Sequence, residues 1–265
     1  MSSRIQQLQT EDRRTTVAKK LIVADFDRRS RYYTDQSPWT IDNALNEMCR
    51  ELVFSNIEGQ HLRMLDYGAG PGALGKIFSR SKRVKFVDVS DISQNMLDLC
   101  DFARHKFHLP REQPTGPYEA IILRQVIQYL APDAHANLIK ALKQMLSPSG
   151  VILVSQITPH FNHDFHFWKQ LLTIRRPTRQ SFPDSENLIT STMEAGLTLV
   201  DYAHSETAQL LSSWTMNESS EMLAAMKAHL ASADETVRNT WRLRQLDSGD
   251  FGWQDHWIHL VAQML

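Results

Sequence analysis

The chain has 265 residues, enough for one large domain with a full core, or one domain plus a cap. Its 29 Lys and Arg offset 30 Asp and Glu, for a formal net charge of -1, which argues against electrostatic attachment to nucleic acid or an anionic membrane. The two cysteines, Cys49 and Cys100, lie far apart in apolar helical patterns and form no metal or redox motif, as expected of buried thiols in a reducing compartment. With no signal-peptide pattern, no bilayer-length apolar run and no internal repeat, the chain reads as a soluble, cytoplasmic monomer or homodimer. Residues 1–15 are polar and read as helical or frayed. From Val17 to Tyr33 apolar and aromatic residues recur at helical spacing (Val17, Leu21, Ile22, Phe26, Tyr32, Tyr33). The basic residues here, Arg13-Arg14, Lys19-Lys20 and Arg28-Arg29-x-Arg31, are interleaved with acids and read as a solvated helix face. Thr34–Trp39 is a loop by composition, and Ile41–Phe54 repeats the helical pattern with Leu45, Met48, Leu52 and Val53.

The stretch that organises the rest is Met64-Leu-Asp-Tyr-Gly-Ala-Gly-Pro-Gly-Ala-Leu-Gly-Lys-Ile-Phe78. It reads as a strand ending at Asp66, a glycine turn (Gly68, Ala69, Gly70, Gly72) and a helix from Ala73 whose free N–H groups face a ligand. Gly68-x-Gly70-x-x-Ala73 nominally satisfies the dinucleotide fingerprint. Asp66 speaks against a pyrophosphate there, and Pro71 removes one N–H from the cradle. A sulfonium and an α-ammonium, by contrast, suit a carboxylate at the strand end. The stretch resembles motif I of the class I S-adenosylmethionine (SAM)-dependent methyltransferases, an acid, any residue, then Gly-x-Gly-x-Gly. Phe26-Asp-Arg-Arg-Ser-Arg-Tyr-Tyr33 is similar to the family's lid helix ahead of the first strand, which implies Tyr33 at the cofactor and Tyr32 at the substrate.

Arg83–Asp91 is an alternating strand followed by a helix start, Ile92-Ser-Gln-Asn-Met-Leu97. An acid about 20 residues past the glycines is placed to accept ribose hydroxyls. Asp91 is preferred to Asp88, which lies inside the strand. Asp91-x-Ser-x-x-Met-Leu97 resembles the family's motif II, which implies cofactor roles for Asp91, Ile92 and Met96. Between Asp98 and Pro117 the chain departs from the family. The third strand is reduced to about Lys106–Leu109 with no acid at its end, and Asp101-Phe102 is the remaining candidate for the adenine. Tyr118–Leu130 is a buried strand and turn. The resemblance implies that it faces the methionine end of SAM with Arg124 and the substrate with Gln125 and Tyr129. A guanidinium there needs an anion: the SAM carboxylate, an acidic substrate or Asp66. The Asn/Asp-Pro-Pro-Tyr motif of base-amine methyltransferases is absent.

A helix follows from Pro132-Asp133 to Met145, then Leu146-Ser-Pro-Ser-Gly150 and the apolar strand Val151–Ile157. Beyond it His160-Phe-Asn-His-Asp-Phe-His166, Trp168, Arg175-Arg176 and Arg179 leave the C-terminal end of a central strand, where open α/β sheets bind ligands. His160 and His163 are candidate general bases, and Arg175 and its neighbours either hold a substrate carboxylate or phosphate or face water. The histidine spacing does not suit a metal. A helix from Ser185 ends at Gly196, a strand spans Leu197–Tyr202, helical pattern covers Met222–Leu246, and Trp257–Leu265 is a last strand.

The resemblance over Met64–Tyr202 implies a Rossmann-like class I methyltransferase fold: α/β, with a mostly parallel seven-stranded sheet, a reduced third strand and helical caps. The expected division is a lid over 1–58 and a SAM-binding domain over 59–265 with cap insertions at about 158–183 and 207–253. It implies SAM as cofactor, S-adenosylhomocysteine as product, and methyl transfer to an O- or N-nucleophile of a small metabolite or biosynthetic intermediate. An NAD(P)-dependent oxidoreductase and a non-catalytic SAM-binding regulator are the other readings.

Overall fold

A computed structural model describes residues 17–109 and 111–264. The N-terminal basic pair Arg13-Arg14, and with it the start of the expected lid, lies outside them. The strands are β1 (Leu62–Tyr67), β2 (Val84–Asp91), β3 (Lys106–His108), β4 (Tyr118–Arg124), β5 (Leu146–Thr158), β6 (Thr198–Leu210), β7 (Arg244–Gln245) and β8 (Phe251–Gln263). They form one sheet in the order β3-β2-β1-β4-β5-β8-β6, with β7 paired to β8. β1 to β5 pair in parallel, while β8 runs antiparallel to both β5 and β6. The sheet thus has the expected mostly parallel core and a third strand of three residues, with β7 as an added eighth strand.

The apolar runs explain the layers. β1, β4 and β5 are buried on both faces, which is why Ala120–Leu123 and Val151–Val154 read as unbroken hydrophobic stretches. One face is covered by α2 (Asn43–Ser55) and α3 (Ala73–Ser79) through Cys49, Val53, Leu74 and Phe78. The other is covered by α5 (His135–Lys143) and α7 (Ser185–Glu194) through Ile139, Leu142 and Leu188. α2 starts where Asp42 accepts from the Leu45 N–H at 3.0 Å, and α4 (Gln94–Asp98) where Ser93 accepts from the Met96 N–H at 3.2 Å. α2, placed in the expected 1–58 lid, is therefore part of the sheet's flank. α1 (17–29) lies outside that layer, with Ile22 buried.

A third cluster builds the cap. α6 (Phe165–Arg175), α8 (Ser220–Ala231) and α9 (Glu235–Trp241) pack around Trp39, Trp168, Trp214, Trp241, Trp253 and Trp257. The support is an overhang. β5 stops pairing with β8 at Thr158–His256, while β6 and β8 continue together to Leu210–Gly252. These strands are longer than the sequence pattern indicates because the overhanging end of β6 inverts the usual alternation, burying the polar Thr207 and Gln209 and exposing Ala208 and Leu210. Thr34–Trp39, expected as loop, forms two helical turns, Tyr33–Gln36 and Pro38–Thr40, with Gln36, Trp39 and Thr40 buried. Among the described residues, no helix is long and apolar enough to cross a membrane.

Candidate active site

β1 and β2 run side by side in register, Asp66 opposite Val89 and Tyr67 opposite Ser90, so both acidic strand ends reach one edge. The turn after β1 is tied down by Gly68 and Ala69 N–H groups donating to the Ser90 carbonyl at 2.8 and 3.0 Å. Gly70 and Gly72 both have positive φ, 55° and 73°, but serve different ends. A Cβ on Gly72 would lie 2.6 Å from Phe102 and 2.7 Å from Cys100 Sγ, whereas one on Gly70 would meet nothing within 4 Å. Gly72 is needed for packing; Gly70 borders open space beside Asp91. Asp91 Oδ2 accepts from the Gly70 N–H at 2.8 Å and Oδ1 from the Ser93 N–H at 2.9 Å. A carboxylate offers about four lone-pair sites, so two remain for hydroxyl donors. Asp88, the competing acid, is spent inside the sheet on the Tyr118 hydroxyl at 3.0 Å and on His105.

Asp66 is 3% exposed, and its Oδ2 accepts from the Gly75 N–H at 2.9 Å in the first turn of α3. Burial pushes its carboxyl up to about 6, against the pull of Arg124 and the Gly75 N–H, with Asp91 adding a smaller push upward. A carboxylate at a helix N-terminus occupies the place a dinucleotide pyrophosphate takes. The geometry is therefore wrong for NAD and right for a cationic ligand that would keep Asp66 ionised. Arg124 donates to Asn46 Oδ1 at 2.6 Å and lies 5.0 Å from the Trp39 ring centroid. Among the described residues it makes no ion pair, so it bears on Asp66 through its field.

Next to this edge, over the ends of β4 and β5, lies a small, nearly filled cavity of about 20 Å³. Its apolar walls are Trp39, Ile157, Leu172 and Trp214, and its polar lining includes Tyr33, Gln125, Tyr129 and the arginines 29, 175, 176 and 179. Gln125 holds φ at 57°, a left-handed conformation unusual for a non-glycine residue and common at sites where structure over-determines the backbone. α1 bridges the two regions. Asp27 Oδ1 accepts from Ser93 Oγ at 2.5 Å at the start of α4, and Arg29, two residues on, lines the cavity.

The structure brings Asp66, Gly68, Ala69, Gly70, Gly72, Asp91, Ile92 and Met96 to one edge, although the Met96 side chain is fully buried in protein. Tyr33, Gln125, Tyr129 and Arg175 meet in the cavity. Tyr32 does not; its hydroxyl accepts from Arg28 at 2.9 Å on the surface. His160 and His163 are also absent from the cavity lining. His160 Nε2 bonds the Gln254 carbonyl at 3.0 Å and the exposed His163 bonds Thr240 at 3.2 Å, because the buried Asp164 ties the 160–164 turn to Trp241 of α9. Asp101 pairs with Lys76 on the surface, and Phe102 packs beneath Gly72. Arg29, read from its neighbours as solvated, is 2% exposed, and the sequence pattern gave no hint of Gln36, Gln128, Glu218 or Asp255 beside the cavity arginines.

The family described as a methyltransferase domain matches residues 41–202. No curated protein matches the chain by sequence. Among solved structures, BH2331 from Bacillus halodurans C-125 superposes with a TM-score of 0.71 at 14% identity, covering 83% of this chain and 98% of that one. Magnesium protoporphyrin IX methyltransferase from Synechocystis PCC 6803, with bound S-adenosylhomocysteine, gives 0.56 at 13% identity over 92% and 98%. Geranyl diphosphate C-methyltransferase from Streptomyces coelicolor A3(2) gives 0.53 at 13% identity over 84% and 79%. With the family match spanning most of the sheet, the two strand-end acids in place and the glycine turn open toward Asp91, the chain belongs to the class I SAM-dependent methyltransferases.

Proposed function

We propose that the protein methylates a small molecule held in the cavity between α1, the cap and the ends of β4 and β5. The observation that carries this reading is the lining: between α1 and α6 the apolar Trp39, Ile157, Leu172 and Trp214 converge with the polar Tyr33, Gln125 and Tyr129, the mixture of walls that small-molecule sites use. Asp91 and the Gly70 turn would hold the ribose of SAM, while Asp66 would face its amino group and Arg124 its carboxylate. SAM supplies an electrophilic methyl on a sulfonium. The chain's part is to fix the acceptor, with Gln125, Tyr33 and Tyr129 lining the space, and to keep water out. An oxygen or nitrogen nucleophile suits such a site, because an amine or an ionised hydroxyl needs orientation and no base. On this reading His160→Ala and His163→Ala stay within a few-fold of wild-type kcat.

Calorimetry with SAM, S-adenosylhomocysteine and NAD tests the cofactor half. The two adenosyl ligands should bind and NAD should not, and Asp91→Ala should weaken S-adenosylhomocysteine by about 1.5–3 kcal/mol, the range for hydrogen bonds to charged groups. Unchanged affinity in Asp91→Ala, or tight NAD binding, would count against the assignment.

A further inference from the structure

The cavity is rich in hydrogen-bond donors that have no acceptor. Arg175 Nε, Arg176 Nε, Arg179 Nε and Nη1, Gln125 Nε2 and Trp214 Nε1 are all buried and unpartnered. Arg175, Arg176, Gln125 and Trp214 are themselves 6%, 3%, 8% and 1% exposed, so water does not generally reach them. Buried polar groups in proteins are almost always matched, and buried charges are paired. The chain's own acids account for only part of this set. Glu218 takes Arg176 at 2.8 Å and Asp25 takes Arg29 at 3.4 Å, with Gln36 Oε1 accepting from both arginines. Arg175 and Arg179 have no carboxylate within ion-pair distance among the described residues. Arg175 donates to the Gln36 carbonyl at 3.0 Å and stacks 3.9 Å from the Trp214 ring centroid. Asp255 is the buried acid whose field reaches both; its Oδ1 accepts from Trp253 at 3.0 Å and no ion pair forms. Burial and the neighbouring arginines push all three guanidiniums, 175, 176 and 179, below their ordinary range.

From this excess of unmatched donors we infer that the acceptor carries an anionic oxyacid group, a carboxylate or a phosphate, bound by Arg175 and Arg179, with its body against Trp39, Ile157 and Leu172. The assignment rests on the methyltransferase reading only in calling that anion the acceptor. Its physical core is independent: the buried guanidinium of Arg175 on α6 and the half-buried one of Arg179 just beyond it, whose Nε and Nη1 are buried, lack a counter-charge that an oxyanion supplies by charge-assisted hydrogen bonds.

The test uses the full chain in thermal melts and calorimetry with inorganic phosphate, benzoate, benzamide as the neutral match, and sodium chloride at equal ionic strength. At least one of phosphate and benzoate should raise the melting temperature saturably, and which of them does so separates phosphate from carboxylate. Benzamide and chloride should not. Arg179→Gln should lose at least tenfold in anion affinity, keep its S-adenosylhomocysteine affinity, and melt no lower than wild type without anion, because an unmatched charge has been removed. Arg175→Gln, tested alongside, should show the same loss of anion affinity. An anion response that survives both substitutions, a benzamide response equal to that of benzoate, or no response to either anion overturns the inference. If S-adenosylhomocysteine binds while the anions do not, this inference alone fails. If S-adenosylhomocysteine does not bind, the methyltransferase reading fails, whatever the anions do.

Discussion

Asp66 is asked to be a carboxylate in a place that disfavours one. Burial raises its carboxyl from the ordinary 3.8 to about 6, although the Gly75 N–H and the Arg124 charge both favour ionisation. The sign of the stability effect follows. An acid whose folded value lies above its unfolded one contributes stability below the unfolded value, and that contribution is lost as pH rises through the folded value. Free wild-type protein should therefore lose on the order of 3 kcal/mol between about pH 4 and pH 7 at this one residue, at about 1.4 kcal/mol per unit. Asp66→Asn keeps an oxygen for the Gly75 N–H and cannot ionise. It should melt higher than wild type at pH 7, match it near pH 4, and bind S-adenosylhomocysteine more weakly by about 1–3 kcal/mol. Melting curves at the two pH values, with a binding isotherm at pH 7, read all three outcomes. A variant no more stable than wild type at pH 7 would show that Asp66 bears no burial strain. A site of this kind holds a destabilised group in exchange for affinity toward a cationic ligand.

Helix α1 shows what a sequence pattern reaches and what it does not. Its helical period is plain in Val17, Leu21, Ile22 and Phe26, and its likeness to a methyltransferase lid rests on Phe26, Asp27 and Tyr33. The sheet was equally legible: β1, β4 and β5 are buried on both faces, and the acids Asp66 and Asp91 sit where strand ends and glycines put them. The arginine cavity was not. Arg29 sits in a run of interleaved charges, and its burial depends on Gln36 and on Arg176 and Glu218, residues 140 and more positions away that only the folded chain brings together. The candidate histidines failed for a related reason, since nothing local reveals that Asp164 turns the 160–164 segment toward Trp241. The contacts of α1 also define its mobility. It is fastened by Asp27 to Ser93, by Arg28 to Glu218, by Arg29 to Gln36 and by the buried Ile22, while the sheet's core clusters do not include it. A chain lacking residues 1–29 should keep the far-ultraviolet spectrum of the sheet and lose about tenfold or more in S-adenosylhomocysteine affinity, as expected when a lid that completes a site is removed. A truncated chain with full affinity would show that α1 takes no part in holding the cofactor.

At the scale of the molecule, two candidate ligand regions share one end of the sheet, the proposed cofactor side over β1 and β2 and the arginine cavity over β4 and β5, and α1 touches both. Asp27 and Arg29 are two residues apart on that helix; the first bonds Ser93 beside Asp91, the second lines the cavity. A ligand that orders α1 from one side reduces the cost of ordering it from the other, which is positive coupling between the sites. Saturating S-adenosylhomocysteine should then tighten benzoate or phosphate binding by about 1 kcal/mol, roughly fivefold, at the low end of ordinary site-to-site coupling. Linkage requires the same factor in reverse, so the anion must tighten S-adenosylhomocysteine equally. Asp27→Ala cuts the tie to Ser93 without touching an arginine. It should reduce the coupling toward unity while leaving the anion affinity of the cofactor-free protein as in wild type. Four calorimetric titrations per protein, each ligand with and without the other, close the cycle. Coupling that persists in Asp27→Ala would place the link elsewhere, through Gln125 and the β4 end, whereas absence of coupling in wild type would mean that α1 is already fully ordered before either ligand arrives.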